Sequence, residues 1–229
     1  MKRLISAIMA LLFIGSASWA DFVRGSQTIA AYGGFGGSST QYDFKPGDQR
    51  TVTGAGAAFG AQYLYYVKSS PAVAIGADLT QALNGNRQSD ATLTGYDTTA
   101  HLRSLVGLVM ARLAYPRGEV RPYIFFGAGM HHSHQELSAR PLSGNSWPGG
   151  GAESRTLIDE RQTSAAIGYG VGLELFPTDA FFIGTEVRAV KLLGMNTDDN
   201  TALRAAGFAA DETTTLTQGY VLMHVGWKF

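Results

Sequence analysis

Val221-Leu222-Met223-His224-Val225-Gly226-Trp227-Lys228-Phe229 is the stretch from which the fold is read. Val221, Met223, Val225, Trp227 and Phe229 are apolar at every second place, a period that sends successive side chains to opposite faces of a β-strand. Working back from this terminal segment (213–229), the same period recurs near residues 27–37, 53–68, 72–83, 98–115, 121–132, 161–176 and 181–194. The connections alternate in length. Three are tight and contain proline: Ser69-Ser70-Pro71, Pro116-Arg117-Gly118-Glu119 and Pro177-Thr178-Asp179. Four are long and polar, over 38–52, 84–97, 133–160 and 195–212. Short turns on one rim and long loops on the other predict an all-β, eight-stranded antiparallel up-and-down transmembrane β-barrel.

Alternation alone does not say which face meets water, so the two faces are compared by composition. In the sixth segment Ala165, Ile167, Tyr169, Val171, Leu173 and Leu175 form one face, against Ser164, Ala166, Gly168, Gly170, Gly172 and Glu174. The third splits into Val73, Ile75, Ala77 and Leu79 against Ala74, Gly76, Asp78 and Thr80. A soluble exterior is about 25–35% charged, and these second faces hold one charge each. They are also too rich in glycine for a bulky apolar core. A narrow lumen fits them, with the aliphatic face turned to lipid. The run of apolar residues needed for a spanning helix is absent from the mature chain, and an open sheet leaves unpaired edges in lipid, so a closed barrel is the spanning form. Tyr63, Tyr65, Tyr115, Tyr123, Phe176, Phe181, Phe182, Trp227 and Phe229 lie at strand ends beside the short turns, the placement of an interfacial girdle.

The other end of the chain agrees with export. Lys2 and Arg3 precede an apolar run from Leu4 to Ile14, then small residues and Ser18-Trp19-Ala20, which reads as a signal peptide over 1–20 cleaved after Ala20. Residues 21–229 then form one barrel domain, with no linker to define a second. The chain has no cysteine, so its stability is free of disulfides. Without Lys2 and Arg3, 18 basic residues become 16 against 18 acidic ones, a formal charge of −2 that gives no reason to expect a nucleic-acid partner. Glycine, 29 of 229 residues, is well above the usual share of about 7% and lies within apolar runs, where it marks close packing in a barrel.

The residues able to carry chemistry lie mostly inside. Glu186 and Arg188 share the inward face of the seventh strand, with Glu174 inward on the sixth, Asp78 on the third and Arg112 on the fourth. Paired carboxylates can serve as acid and base, but charges in a narrow lumen must neutralise one another. A salt-bridged interior network of Asp78, Arg112, Glu174, Glu186 and Arg188 is therefore expected. Arg103 has the opposite parity to Arg112 and is expected near the outer rim, because an Arg facing lipid at midplane costs about 2–4 kcal/mol. His131, His132 and His134, followed by Glu136, form the one cluster resembling a metal site. His132 and His134 share a face, yet polar residues are needed at a loop base anyway, and no metal or cofactor is assigned. Trp147, in the glycine-rich stretch Asn145 to Gly151, is either an exposed contact residue or tucked over the barrel mouth. There is no nucleophile elbow, phosphate-binding glycine loop or Cys nucleophile.

The terminal alternation closing on an aromatic resembles the assembly signal of Gram-negative outer-membrane barrels. In that family the insertion machinery reads the places filled here by Val221, Met223, Val225, Trp227 and Phe229. With Arg121-Pro122-Tyr123-Ile124 opening a glycine-rich strand and the Gly168-to-Phe176 strand followed by a proline turn, the mature chain resembles the barrels that include the OmpA membrane domain, the OmpX-type barrels and the opacity proteins. The resemblance implies the cell outer membrane and a monomeric or weakly associating surface barrel, while an even strand number puts both termini on the short-turn, periplasmic side. Its partners would be outer-membrane lipid, lipopolysaccharide and the assembly machinery, and it specifies no surface ligand. The role implied is structural or contact-making. A small porin-like channel is the first alternative. The second comes from Val187-Arg188-Ala189-Val190-Lys191-Leu192-Leu193, which resembles the penultimate strand of the outer-membrane lipid A deacylases. Where those enzymes carry a catalytic His and, two residues later, a Ser, this chain has Lys191 and Leu193, which cannot act as base and nucleophile.

Overall fold

The computed structural model describes residues 23–44, 48–89, 95–147, 149–193, 195–196 and 210–229. The signal peptide expected over 1–20 lies outside them. Eight long strands follow one another in chain order: β1 (Gln27–Phe44), β2 (Asp48–Ser69), β3 (Ala72–Ser89), β4 (Tyr96–Ala114), β5 (Val120–Pro141), β6 (Arg155–Leu175), β7 (Phe181–Leu193) and β9 (Ala210–Lys228). The two-residue β8 (Met195–Asn196) pairs with Thr213 and Thr214 at the upper end of β9. Each long strand pairs antiparallel with the next, and β9 pairs with β1, closing the ring. Closure is completed by the backbones of Gln27 and Phe229, whose N–H groups each donate to the other's carbonyl at 2.8 and 2.9 Å.

The register fixes the geometry of the ring. One rung of partners runs Ile29, Tyr63, Ala77, Val109, Ala128, Ile167, Lys191, Thr217. The partner of Ile29 on β9 is Trp227, so the rung returns ten residues (227 minus 217) out of step. Such a stagger tilts the strands by about 35–45° from the barrel axis.

Parity sorts the side chains as the composition of the faces predicts. On β6 Ala165, Tyr169, Val171, Leu173 and Leu175 are exposed on the outer wall, while Ser164, Ala166, Gly168 and Glu174 are buried inside. On β9 Val221, Met223, Val225, Trp227 and Phe229 all lie on the outer wall, and Leu222, His224 and Gly226 on the inner. Inner glycines make room for inner rings on neighbouring strands. A Cβ at Gly172 would stand 2.2 Å from the Tyr123 ring, one at Gly226 2.3 Å from Phe182, and one at Gly184 1.9 Å from His224 Nε2.

Two expectations need correction. The loops predicted at 38–52, 84–97 and 133–160 are largely strand: β1 and β2 approach to Phe44 and Asp48, β3 and β4 to Ser89 and Tyr96, β5 and β6 to Pro141 and Arg155. The hydrogen-bond ladder does not need apolar side chains, so it continues past the point where the lipid-facing pattern stops. Most of the loop predicted at 195–212 lies outside the described residues. The second correction concerns the aromatics. Tyr63, Tyr65, Tyr115, Trp227 and Phe229 are exposed on the outer wall, and Phe181 packs edge-on to Trp227 at 5.5 Å. Tyr123, Phe176 and Phe182 instead point inward and, with Leu64, Tyr66 and Phe125, fill the end of the interior beside the short turns.

Candidate functional site: a charge-balanced interior

The five interior charges expected from parity sit at different heights on β3, β4, β6 and β7, and all are buried. β3 and β7 stand on opposite sides of the ring. Arg188 on β7 spans the lumen to grip Asp78 with two bonds, Nη1 to Oδ1 at 2.6 Å and Nη2 to Oδ2 at 2.9 Å. Its Nε donates to Glu186 Oε1 at 2.7 Å, so one guanidinium holds two carboxylates. Arg112 on β4 pairs with Glu174 on β6, donates to Gln62 Oε1, and lies 4.0 Å from Glu186 Oε2. Its guanidinium also stacks 3.8 Å from the centre of the Tyr123 ring.

Neutral side chains meet several of the atoms that the ion pairs leave open, while Arg112 Nε and Glu174 Oε2 are buried without a hydrogen-bond partner among the described residues. The Tyr32 hydroxyl donates to Asp78 Oδ1 at 2.9 Å and sits 2.6 Å from Thr80 Oγ1. Arg188 Nη1 donates to Thr80 Oγ1 at 2.8 Å, and the Tyr123 hydroxyl donates to Glu186 Oε2 at 2.8 Å. These partners matter, because a buried charge without any costs several kcal/mol. Sequence reasoning did not place Tyr32, Gln62, Thr80 and Tyr123 in this network, although inward parity was visible for each.

Arg121 is the missing sixth member. It is fully buried at the start of β5, stacked 4.3 Å from the Phe176 ring centre, with Nε donating to the Gly118 carbonyl at 3.0 Å. With it, three guanidiniums (Arg112, Arg121, Arg188) face three carboxylates (Asp78, Glu174, Glu186) among the described buried residues, and this set is charge-balanced. Val106, Leu108, Val190 and Leu222 belong to an apolar cluster that adjoins the network, Leu108 lying opposite Asp78 and Leu222 opposite Glu186 in the ladder. The outermost interior is polar again. Gln218 Nε2 donates to Ser104 Oγ at 3.0 Å, and the side chains of Asn84, His131, Ser133 and Ser164 are buried there without hydrogen-bond partners among the described residues.

The histidines separate. His131 faces the interior; His132 and His134 face outward, His132 Nδ1 lying 3.0 Å from Thr163 Oγ1 and His134 Nε2 2.7 Å from Asp159 Oδ1. Among the described residues no group of three His, Asp or Glu side chains is placed to hold a metal ion. Trp147 is not an exposed contact. It is buried, its Nε1 donates to the Glu153 carbonyl at 2.7 Å, and its ring packs 4.7 Å from Tyr96. Lys191 and Leu193 both lie on the outer wall, on the face away from the network.

A closed antiparallel barrel with an aliphatic outer wall, aromatic residues at one rim and a polar, neutralised lumen is an integral β-barrel of the bacterial outer membrane. The chain belongs to the outer membrane protein β-barrel family: the family model described as "Outer membrane protein beta-barrel domain" matches residues 6–229. No curated protein sequence shows significant similarity to it. Among solved structures, it is similar to Ail, the attachment invasion locus protein of Yersinia pestis, crystallised with the heparin analogue sucrose octasulfate. That match has 17% identity and a TM-score of 0.43, covering 90% of this chain and 100% of that one. OprG from Pseudomonas aeruginosa gives 13% identity and a TM-score of 0.44, over 90% and 97% of the two chains. The Escherichia coli outer-membrane protease OmpT gives 8% and 0.48, over 93% and 99%.

Proposed function

We propose that the protein is a sealed, non-enzymatic barrel that braces the outer membrane and makes contacts through the strand extensions and loops beyond its outer rim. The observation that carries this reading is the neutral network reaching from Asp78 to Arg188 across the full width of the lumen. A dissolved ion would have to break those bonds to pass. In this orientation the short turns and both termini are periplasmic, the chain inserts as a monomer after removal of residues 1–20, and the assembly machinery reads the outward row from Val221 to Phe229. The unpartnered polar atoms of Asn84, His131, Ser133 and Ser164 favour a second, narrower reading, in which water enters the outer half of the lumen and stops at the network. For an enzyme of the lipid A deacylase kind, Lys191 and Leu193 on the outer wall stand where the His and Ser are required, and Leu193 has no nucleophilic atom.

The surface chemistry follows from charge. Summed over 38–52, 84–97, 133–160 and 195–212, the formal charges are 0, −1, −2 and −3, a total of −6. An acidic outer rim repels sulfated polyanions. The purified barrel is expected to bind heparin poorly, with surface plasmon resonance showing no saturable response at physiological salt. Tight binding that persists there would contradict this account of the surface.

A further inference from the structure

One part of the outer wall departs from the acidic rim. Three consecutive rungs across β4, β5 and β6 carry, from the membrane outward, Leu105–His132–Thr163, Arg103–His134–Arg161 and His101–Glu136–Asp159. All of these side chains share the outward parity. Eleven residues separate Arg103 from Tyr115 at the short-turn rim, and a tilted strand crosses the hydrocarbon in about 9–11. Arg103 therefore stands where acyl chains end and headgroups begin. The acids lie one rung farther out, and Asp159 is engaged by His134. Among the described residues neither Arg103 nor Arg161 has a hydrogen-bond or ion-pair partner. The two are separated by one strand, so their Cα atoms are roughly 10 Å apart.

Below this patch the wall is hollowed. A groove of about 610 Å³ is floored by Ala61, Ala77 and Gly107 and flanked by Leu79, Val109 and Met130. Gly107 lies one strand over and two residues down from His132. At the barrel's tilt those two offsets put it almost directly beneath His132, roughly 8 Å deeper along the membrane normal. Arginines at headgroup level above an apolar furrow match a lipid that is both phosphorylated and acylated. The outer leaflet of this membrane supplies one in lipopolysaccharide.

We propose that β4, β5 and β6 form a lipid A site, with Arg103 and Arg161 holding a phosphate from either side, His132 beside them, and one acyl chain descending over Gly107. Arg–phosphate bonds are charge-assisted and among the strongest available at an interface. The site rests on the orientation proposed above, with β4–β6 extending outward, but it makes a claim about binding that needs no cell surface to test.

The experiment is native mass spectrometry of the full barrel released from detergent, titrated with lipid A, dephosphorylated lipid A or phosphatidylglycerol. Wild type should retain lipid A, and Arg103→Ala with Arg161→Ala should weaken retention by about tenfold or more. Dephosphorylated lipid A and phosphatidylglycerol should bind wild type no better than lipid A binds that variant. Gly107→Leu probes the groove separately. A Cβ there meets only Leu79 Cδ1 at 3.9 Å, so the added side chain fills the furrow without disturbing the barrel, and lipid A retention should fall while heat-modifiable gel mobility stays intact. Wild-type retention in the double arginine variant, wild-type retention in Gly107→Leu, or phosphatidylglycerol held as tightly as lipid A would each overturn the proposal. Heparin binding or ion conductance would refute the sealed-contact reading and leave these titrations unaffected.

Discussion

Arg188→Ala is expected to destabilise the folded barrel by about 3–5 kcal/mol, the cost of leaving buried carboxylates without their cation. Two acids lose their partner at once: Asp78 loses a two-bond grip and Glu186 its bond to Nε. Tyr32 and Thr80 remain beside Asp78 but are neutral and cannot replace the charge. Arg188→Lys should recover only part of the loss, because an ammonium restores the charge without the planar fork. The measurement is urea unfolding of the barrel refolded in detergent, followed by gel mobility. A midpoint for Arg188→Ala equal to that of wild type would mean that the network contributes nothing to stability.

Deleting Phe229 is expected to have the opposite profile, a small effect on the folded barrel and a large one on assembly. Its ring is exposed on the outer wall, so little packing is lost. Its backbone does meet Gln27, so the seam between β1 and β9 loses two hydrogen bonds at one end, worth about 0.5–1.5 kcal/mol each. In cells the outward row would lack its last aromatic, and the protein should disappear from the outer-membrane fraction and be degraded in the periplasm. Fractionation with heat-modifiable gels reads both effects. Normal insertion of the shortened chain would remove the assembly role proposed for Val221, Met223, Val225, Trp227 and Phe229.

The faces of the barrel were legible in the sequence because parity is local. Once Glu186 and Arg188 are seen to alternate with Val187 and Ala189, their inward direction follows without knowledge of any other strand. Partners across the lumen were not legible. Asp78 and Arg188 are 110 residues apart, and which carboxylate meets which guanidinium depends on the ten-residue stagger of the closed ring. The strand ends were misread for a different reason. Apolar alternation reports contact with lipid, so it ends near Arg103 and His132, whereas hydrogen-bonded pairing runs on to Tyr96 and Pro141. Trp147 shows a third limit. A tryptophan among glycines is consistent with display or burial, and its fate depends on Tyr96, on another strand, and on the Glu153 carbonyl across its own loop. The interior aromatics follow the same rule as the charges: Tyr123 shares the parity of Arg121, and Phe182 that of Glu186.

The claim at the centre of this account is that the network of Asp78, Arg112, Arg121, Glu174, Glu186 and Arg188 seals the lumen. Conductance of the purified wild-type barrel across a planar lipid bilayer tests it most directly. The account predicts no stable open state in symmetrical potassium chloride at moderate voltage. A steady, reproducible single-channel conductance from wild type, with the barrel intact by heat-modifiable mobility, would contradict it.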